Sequence, residues 1–423
     1  MLRLVLGRSG SGKTEYIRAE LAKLAAGGAK KLMLIVPEQI SFENERAMLR
    51  ILGARNARKV HVTSFSRLAD AAFRTYGGFA GTRLDGGGRS MFMSLALGSV
   101  KDKLRFYRKN AESTELVNLM LDTSAELKMC AVTPEALSAA ASKLPPCTLK
   151  QKITEISLIL AAYDALVAQS CADPLDDLTK LKNILSAHHF FNGFTVMIDS
   201  FQSFTVQEYG IINLILAQAE DLYVALCADG MDDREHGMGL FSIVKRTAHA
   251  LIKLAGQNGA KTAPPVMLQS QKRFSCEAAA ALEAGIYRPV HVPYEGDTSG
   301  VEIYEAGSIY EEASFVCASI RDLVMHKNYR YRDFAVIARS TGTYEGIIDT
   351  AMSRWEIPFF MDMPEKIDAH PLMRLVLSAF NIAQYSFRSD DIFSYLKTGL
   401  AGLSYGETAQ LEHYVFIWNI SGR

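Results

Sequence analysis

The residues best suited to chemistry stand near the start of the chain, where GRSGSGKT at positions 7–14 fits the pattern G-x-x-x-x-G-K-[ST]. Glycines in this pattern let backbone N–H groups turn inward toward phosphate, and the N-terminus of the following helix adds positive charge. Lys13 is then expected to reach the terminal phosphates and Thr14 to bind Mg²⁺. The pattern predicts a nucleotide site, whereas hydrolysis of the nucleotide depends on other residues.

Such a loop needs a strand before it and a helix after it, and the sequence predicts both. The apolar run LRLVL at positions 2–6 precedes the loop, and apolar residues recur at helical spacing from Ile17 onward. Further apolar strands are predicted at 32–36 and 60–63, each followed by a helix. Because strands that are apolar on both faces and joined by helices belong in buried parallel sheets, the predicted fold class is α/β.

A second element of the site is predicted where the strand pattern resumes at positions 194–198. This apolar strand delivers Asp199 to its carboxyl end, as in the Walker B element, where the carboxylate lies close to the metal of a bound nucleotide. The alternative is that Asp199 caps the next turn of the chain. With the phosphate loop upstream, the sequence favours the metal-side role.

The strand and helix patterns divide the chain into three predicted regions. Positions 1–76 and 191–285 form the domain that carries the phosphate loop. Positions 77–190 lack strand signals and are predicted to be an all-helical insertion, and 286–423 follow a stretch rich in Pro and Gly and start a second α/β unit. In that unit, strands are predicted at 301–305, 334–338 and 357–361.

Composition limits the remaining classes of protein. The 423 residues contain 46 Lys plus Arg and 46 Asp plus Glu, so a contact with nucleic acid must come from a local groove. Six scattered cysteines without a C-x-x-C pair indicate reduced, mostly buried thiols of a cytoplasmic protein. No apolar run is long enough for a membrane span, and no signal peptide precedes the first strand. The acidic run at 232–236 and the pair His188 and His189 fit no tight set of metal ligands.

The order of these elements resembles that of superfamily-one DNA helicases. More closely, it resembles the AddB (RexB) family, the B subunits of bacterial ATP-dependent helicase–nuclease complexes that process double-strand breaks. Besides the phosphate loop, the segments that carry the resemblance are VPEQ at 36–39, VTSFSRLA at 62–69, IDSFQSFT at 198–205, FAVIAR at 334–339 and IPFFMD at 357–362.

The resemblance implies a RecA-like parallel sheet that binds ATP and Mg²⁺, followed by part of a second RecA-like lobe and the start of a further helical insertion. The residues implied to bind the nucleotide, with Thr14 and Asp199 on its metal side, are Gly7, Ser9, Gly10, Ser11, Gly12, Lys13, Thr14, Asp199 and Arg339. The residues implied to contact DNA, with Phe65 stacking on a base, are Glu38, Gln39, Thr63, Ser64 and Phe65. The alternative for this second group is helix capping by the polar residues and a core position for Phe65.

The resemblance also implies partners. One is the AddA-type helicase–nuclease protein, with which the family forms a heterodimer. The other is DNA, and the resemblance includes recognition of the Chi recombination hotspot. No membrane partner is implied. This sequence is expected to be an N-terminal fragment of an AddB-type protein. The family's C-terminal nuclease and its cysteine-ligated iron–sulfur cluster are expected in the part that the fragment lacks.

Two departures from active helicases bear on hydrolysis. Ser200 stands where those enzymes place Glu, and a serine hydroxyl is no general base near neutral pH without a partner. No Gly-Asp-x-x-Gln segment follows the strand predicted at 222–227. We therefore expect a chain that binds ATP without being an active motor. The alternatives are an active P-loop ATPase or DNA helicase, a small-molecule P-loop kinase, and a scaffold whose pocket stays empty.

Overall fold

The computed structural model describes residues 1–78, 82–169, 171–232, 237–287, 292–362, 367–420 and 422, with the backbone alone at residues 54 and 55. These residues form two compact units, Met1–Glu302 and Ile303–Arg423. The domain limits inferred from the sequence stay predictions.

Strands are confined to the first unit in the described part of the chain, whereas helices occur in both units. The strands are β1 Leu2–Gly7, β2 Leu32–Ile35, β3 Val60–Thr63, β4 Thr82–Arg83, β5 Cys171–Ala172, β6 Thr195–Ile198, β7 Asp221–Cys227 and β8 Val266–Leu268. The helices are α1 Lys13–Ala26, α2 Glu38–Ala57, α3 Phe65–Tyr76, α4 Gly86–Val100, α5 Thr114–Met129, α6 Pro134–Ser142, α7 Thr148–Val167, α8 Asp177–Ala187, α9 Val206–Gln218, α10 Ser242–Gln257, α11 Glu277–Gly285, α12 Ile309–His326, α13 Ile348–Arg354, α14 Pro371–Gln384, α15 Ser389–Leu396 and α16 Tyr405–Ile417.

The main sheet has six parallel strands in the order β3-β2-β6-β7-β1-β8. It is buried on both faces, since Leu4 and Val5 are neighbours in β1, contribute to separate core clusters and are both fully buried. Alternate residues of a strand point to opposite faces, so a strand covered on both sides must be apolar throughout. The predicted α/β fold with a parallel sheet is confirmed.

Strand β8 is missing from the sequence-based prediction. The structure pairs Val266–Leu268 with Val5–Gly7 of β1, at the edge of the sheet. Three residues that follow Pro264 and Pro265 are too few to show a periodic pattern. The consequence for the site is large, because β8 brings the residues after it to the carboxyl end of β1.

The insertion between β3 and β6 is helical apart from one small feature. Helices α4, α5 and α7 pack around their own core, in which Met93, Leu97 and Tyr163 are fully buried. The prediction of an all-helical insertion misses β4 and β5, which pair in parallel over two residues each. Strands of this length, far apart in sequence, give no local signal.

The second unit contains helices and irregular segments. The strands predicted at 301–305, 334–338 and 357–361 are wrong, because in its described residues these segments pair with no strand. Several of their apolar side chains face solvent, since Ile303, Ile337 and Phe360 are each at least 90% exposed, whereas Ile357 is buried in the small core of this unit. A strand is stable only beside another strand, so an apolar pattern without a neighbour forms no sheet.

The cysteines are reduced thiols, as expected, but the prediction that most are buried is wrong. Only Cys317 is buried, and Cys130 and Cys147 are exposed. Both exposed residues flank helix ends, Cys130 after α5 and Cys147 before α7. In the part of the chain that the structure describes, no helix has both the length and the apolar character needed to cross a membrane.

Candidate nucleotide site

The phosphate loop joins the carboxyl end of β1 to the first turn of α1. Its sharp curvature rests on Gly10 and Gly12, whose φ angles of 82° and 87° lie in the left-handed region. Glycine adopts that region at no steric cost, whereas other residues are strained there. Gly12 caps the N-terminus of α1, so the first free N–H groups of the helix open toward the loop.

The Lys13 side chain lies back against the loop. Its ammonium group donates to the carbonyl oxygens of Gly7 and Arg8, at 2.8 and 2.9 Å. The hydroxyl of Ser11 is buried and has no hydrogen-bond partner in the described structure. Thr14 stands half-buried in the first turn of α1. The loop therefore offers a cation, a free hydroxyl and helix N–H groups in one place, which suits a phosphate group.

A segment that sequence reasoning missed lies directly on this loop. Gln271 donates from its amide nitrogen to the Ser9 carbonyl at 2.8 Å, and the Arg273 guanidinium donates to the Ser9 hydroxyl at 3.2 Å. The backbone N–H of Lys272 donates to the Gly10 carbonyl at 2.9 Å. Residues 271–273 thus bring two cationic side chains to the loop. The only sequence feature that indicates this contact is the polar and basic run at 271–273 itself. Because β8 was not predicted from the sequence, no element was expected to bring this run beside β1.

Helix α11 also anchors the loop. The Arg8 guanidinium pairs with the Glu283 carboxylate at 3.1 Å and donates to the Glu283 carbonyl at 2.7 Å. The same guanidinium lies 5.3 Å from the centre of the Phe241 ring. The loop is therefore held from the segment after β8 as well as by its own strand and helix.

Asp199 follows β6 and is 2% exposed, with its N–H donating to the Ile35 carbonyl at 3.1 Å. Strand β7 separates β6 from β1, so the two chain segments that carry Asp199 and the loop lie about 10 Å apart, two strand spacings. The role of Asp199 near Mg²⁺ stays a prediction.

The position after Asp199 has a strained backbone. Ser200 has a φ of 68° and an exposed side chain. After the end of β7, the carboxylate of Asp229 is paired with Lys245 at 2.8 Å. A serine and an ion-paired aspartate at these two positions provide no free general base.

The five residues implied to contact DNA divide into two groups. Phe65 is 4% exposed and packs edge-on against Phe201 and Phe204, at ring distances of 5.7 and 6.5 Å. Stacking of Phe65 on a base is therefore wrong for this structure, because its ring is part of the core. The alternative that the sequence left open, a core aromatic, is the one observed.

Two of the four polar residues implied to contact DNA, Thr63 and Ser64, form hydrogen bonds within the local structure instead. The buried Ser64 hydroxyl caps α3 by accepting from the Arg67 N–H at 3.1 Å, and the Thr63 hydroxyl donates to the Ser64 carbonyl. Glu38 and Gln39 are exposed in the first turn of α2, at the carboxyl edge of the sheet. Of the five residues implied to contact DNA, only Glu38 and Gln39 therefore have side chains that are exposed to a ligand at the carboxyl edge of the sheet.

Three further candidates came from the sequence: Arg339, the pair His188 and His189, and the acidic run at 232–236. Arg339 is exposed and lies in the second unit, so its role toward a γ-phosphate stays a prediction. His188 stacks on Tyr76 at 4.1 Å. Of the acidic run, residues 233–236 lie outside the described structure, within which no cluster of three or more potential ligands could hold a metal ion.

Comparison with known proteins identifies the family. The family model described as ADDB, N-terminal matches residues 4–283. Proteins named as the B subunit of an ATP-dependent helicase/deoxyribonuclease are similar over the whole chain, with identities of 31% in Acetivibrio thermocellus, 31% in Clostridium acetobutylicum and 32% in Clostridium novyi. The chain spans 37% of the length of each of these three relatives. Because the family match extends over more than half of the chain and includes both the phosphate loop and Asp199, the chain belongs to the ADDB N-terminal family.

Proposed function

We propose that this chain is the nucleotide-binding region of the B subunit of an ATP-dependent helicase–nuclease that acts in double-strand break repair and recombination. The observation that carries the proposal is the phosphate loop, with Lys13, the free Ser11 hydroxyl and the helix N-terminus directed at one place. Family membership and the names of the relatives support it.

ATP with Mg²⁺ is the ligand that this site fits. Lys13 and Arg273 supply positive charge for the phosphates, and Thr14 and Asp199 supply oxygen ligands on the metal side. Lys13 gives up its bonds to Gly7 and Arg8 when a phosphate replaces them. Magnesium bound there would neutralise charge on the phosphate oxygens.

Hydrolysis is not part of the proposal. Water attack needs a base beside the terminal phosphate, and Ser200 and the ion-paired Asp229 provide none. The chain then binds ATP as a structural or regulatory ligand while translocation depends on a partner protein of the AddA type. Support of DNA binding and of Chi recognition is proposed for the full-length protein of which this chain is a part.

Calorimetric titration of the 423-residue chain with ATP and Mg²⁺ tests the proposal. We expect saturable binding, weakened at least about tenfold by Lys13→Ala, since a charge-assisted contact contributes about 1.5–3 kcal/mol. Lys23→Ala is the matched control, because Lys23 lies on the same helix and its side chain is 77% exposed. Absence of binding favours an empty scaffold. Rapid DNA-stimulated turnover that Lys13→Ala abolishes refutes the inactive site.

Binding of single-stranded DNA is tested separately. The exposed Glu38 and Gln39 lie at the carboxyl edge of the sheet, where open α/β sheets bind ligands. A salt titration distinguishes phosphate contacts from other binding, because each contact steepens the fall of log K with log salt. If no binding occurs even at low salt, this region of the protein has no DNA site of its own.

A further inference from the structure

The edge of the main sheet at β3 carries an open groove. β3 is the first strand in the sheet order, so among the residues that the structure describes it has a strand neighbour on one side only. The N–H groups of Leu32 and Val36 donate to the carbonyls of Lys59 and Thr63. Because bonding alternates along a parallel ladder, Val60 and Val62 direct their N–H and C=O groups away from β2. These groups form a row that another extended chain can pair with.

An apolar wall faces this row. A cavity of about 470 Å³ lies between α2 and β3, and Phe42, Met48 and Leu49 line it together with Val60 and Val62. Phe42 is 64% exposed and Leu49 52%, although both belong to the helix that packs on the sheet. Large apolar side chains grouped beside a free strand edge mark an interaction surface.

The rim of the groove is positively charged. The Arg46 guanidinium lies over the Phe42 ring at 5.9 Å, and Arg50 follows one helical turn later. Both arginines are exposed, and within the described structure no carboxylate lies within 4 Å of either. The nearest acid on this wall, Glu45, is already paired with Arg67 at 2.7 Å. An occupant with negative charge beside its apolar residues therefore complements the groove.

We propose that this groove binds an extended segment of a partner protein, added as a further strand beside β3, in which every second residue faces α2 and these residues are in turn apolar and acidic. Its backbone pairs with Val60 and Val62, its apolar side chains pack on Phe42 and Leu49, and its acidic side chains pair with Arg46 and Arg50. A nucleic acid could meet the arginines, but it has no backbone N–H and C=O row to match the strand edge. The proposal does not depend on nucleotide binding.

The test uses a fluorescent peptide of about eight residues, long enough for one strand, whose even-numbered residues are Leu and Glu in turn and whose odd-numbered residues are Thr. Its anisotropy is measured with the 423-residue chain at low salt. We expect saturable binding that the double variant Arg46→Glu/Arg50→Glu weakens at least about tenfold. The matched control is Lys23→Glu/Lys30→Glu, which makes the same charge change at exposed positions at and beyond the end of α1. A peptide with alternate backbone nitrogens methylated should not bind, because it cannot pair with a strand.

Three results would overturn the proposal. The first is no saturable binding up to about 1 mM peptide, which corresponds to only about 4 kcal/mol of binding free energy. The second is equal binding to the Arg46→Glu/Arg50→Glu variant and to the control variant. The third is that an oligothymidine binds and the peptide does not, and that Arg46→Glu/Arg50→Glu abolishes the binding of the oligothymidine. The groove would then be a nucleic-acid surface. Circular dichroism checks that both variants remain folded.

Discussion

The carboxylate of Glu155 holds together a turn of the helical insertion. Glu155 lies on α7 and is 5% exposed. Its two oxygens accept from the backbone N–H groups of Arg105, Phe106 and Tyr107, at 3.0–3.1 Å, and Gln151 donates to it at 3.1 Å. One side chain thus satisfies three consecutive backbone donors of the turn that follows α4. Replacing it tests whether this contact supports the insertion.

The expected cost follows from the number of bonds lost. A hydrogen bond to a charged group contributes about 1.5–3 kcal/mol, and less where water replaces the acceptor. Arg105 and Phe106 are exposed residues, so water can reach part of this turn once the carboxylate is gone. Taking roughly 1–1.5 kcal/mol for each of the three N–H groups, Glu155→Ala should lower the free energy of unfolding by about 3–5 kcal/mol. Glu155→Gln, which keeps one acceptor oxygen, should cost about half as much.

The same contact predicts a dependence on pH. Burial raises the pKa of Glu155, but the backbone N–H bonds from Phe106, Tyr107 and Arg105 outweigh it and hold that pKa below its ordinary value. A carboxyl with a lowered pKa in the folded protein stabilises the fold above its unfolded pKa, and this stabilisation is lost as the pH falls through the folded pKa. The difference in stability between wild type and Glu155→Gln should therefore be full near pH 7 and shrink in acid.

Urea unfolding followed by far-ultraviolet circular dichroism measures the change in free energy, and hydrogen exchange reports on the amides of Arg105, Phe106 and Tyr107. These three amides should lose protection in Glu155→Ala. Glu126→Ala is the control, since Glu126 is exposed on the neighbouring α5. If Glu155→Ala leaves both the unfolding free energy and the amide protection as they are in Glu126→Ala, Glu155 does not hold this turn.

Three further substitutions have expected outcomes. Ser200→Gly should raise the free energy of unfolding, measured in urea, by about 0.5–1 kcal/mol. The φ of 68° costs a non-glycine residue about 1–2 kcal/mol, and the larger conformational entropy of glycine in the unfolded chain offsets part of the relief. A destabilised variant would contradict this. Lys128→Met should cost about 2–3 kcal/mol, since the partly buried ammonium pairs with Asp173 at 3.0 Å and only Arg89, at 3.6 Å, would then remain as a cation beside that buried carboxylate; unchanged stability would show that the pair contributes nothing. Gly10→Ala should weaken ATP binding, measured by calorimetry, at least about tenfold. The new Cβ would clash with the Gln271 side-chain oxygen, and alanine is strained at a φ of 82°. Wild-type affinity would contradict this loop geometry.

The sequence predicted the centre of the sheet well because its signals there are local. Strands β1, β2 and β6 are almost entirely apolar apart from Arg3 and Thr195, because each is covered on both faces. The phosphate loop is equally local, since the left-handed angles at Gly10 and Gly12 need glycine at those positions. These features required no knowledge of distant contacts.

The same local signals failed where a strand needs a partner to exist. The apolar segment at 334–338 resembles a strand as closely as β2 does, yet it pairs with nothing among the described residues of its unit. The reverse error occurred at Val266–Leu268, which pairs with β1 although its three residues show no period. Pairing is a property of two segments, so the pattern of one segment cannot decide it.

At the candidate nucleotide site, the sequence by itself determined the loop, Lys13, Thr14 and the absence of a carboxylate at Ser200. Only the tertiary structure decided that Gln271 and Arg273 lie on Ser9 and that Phe65 is in the core. The physical reason is that loop conformation follows from the residues of the loop, whereas the neighbours of a loop follow from which strands dock side by side.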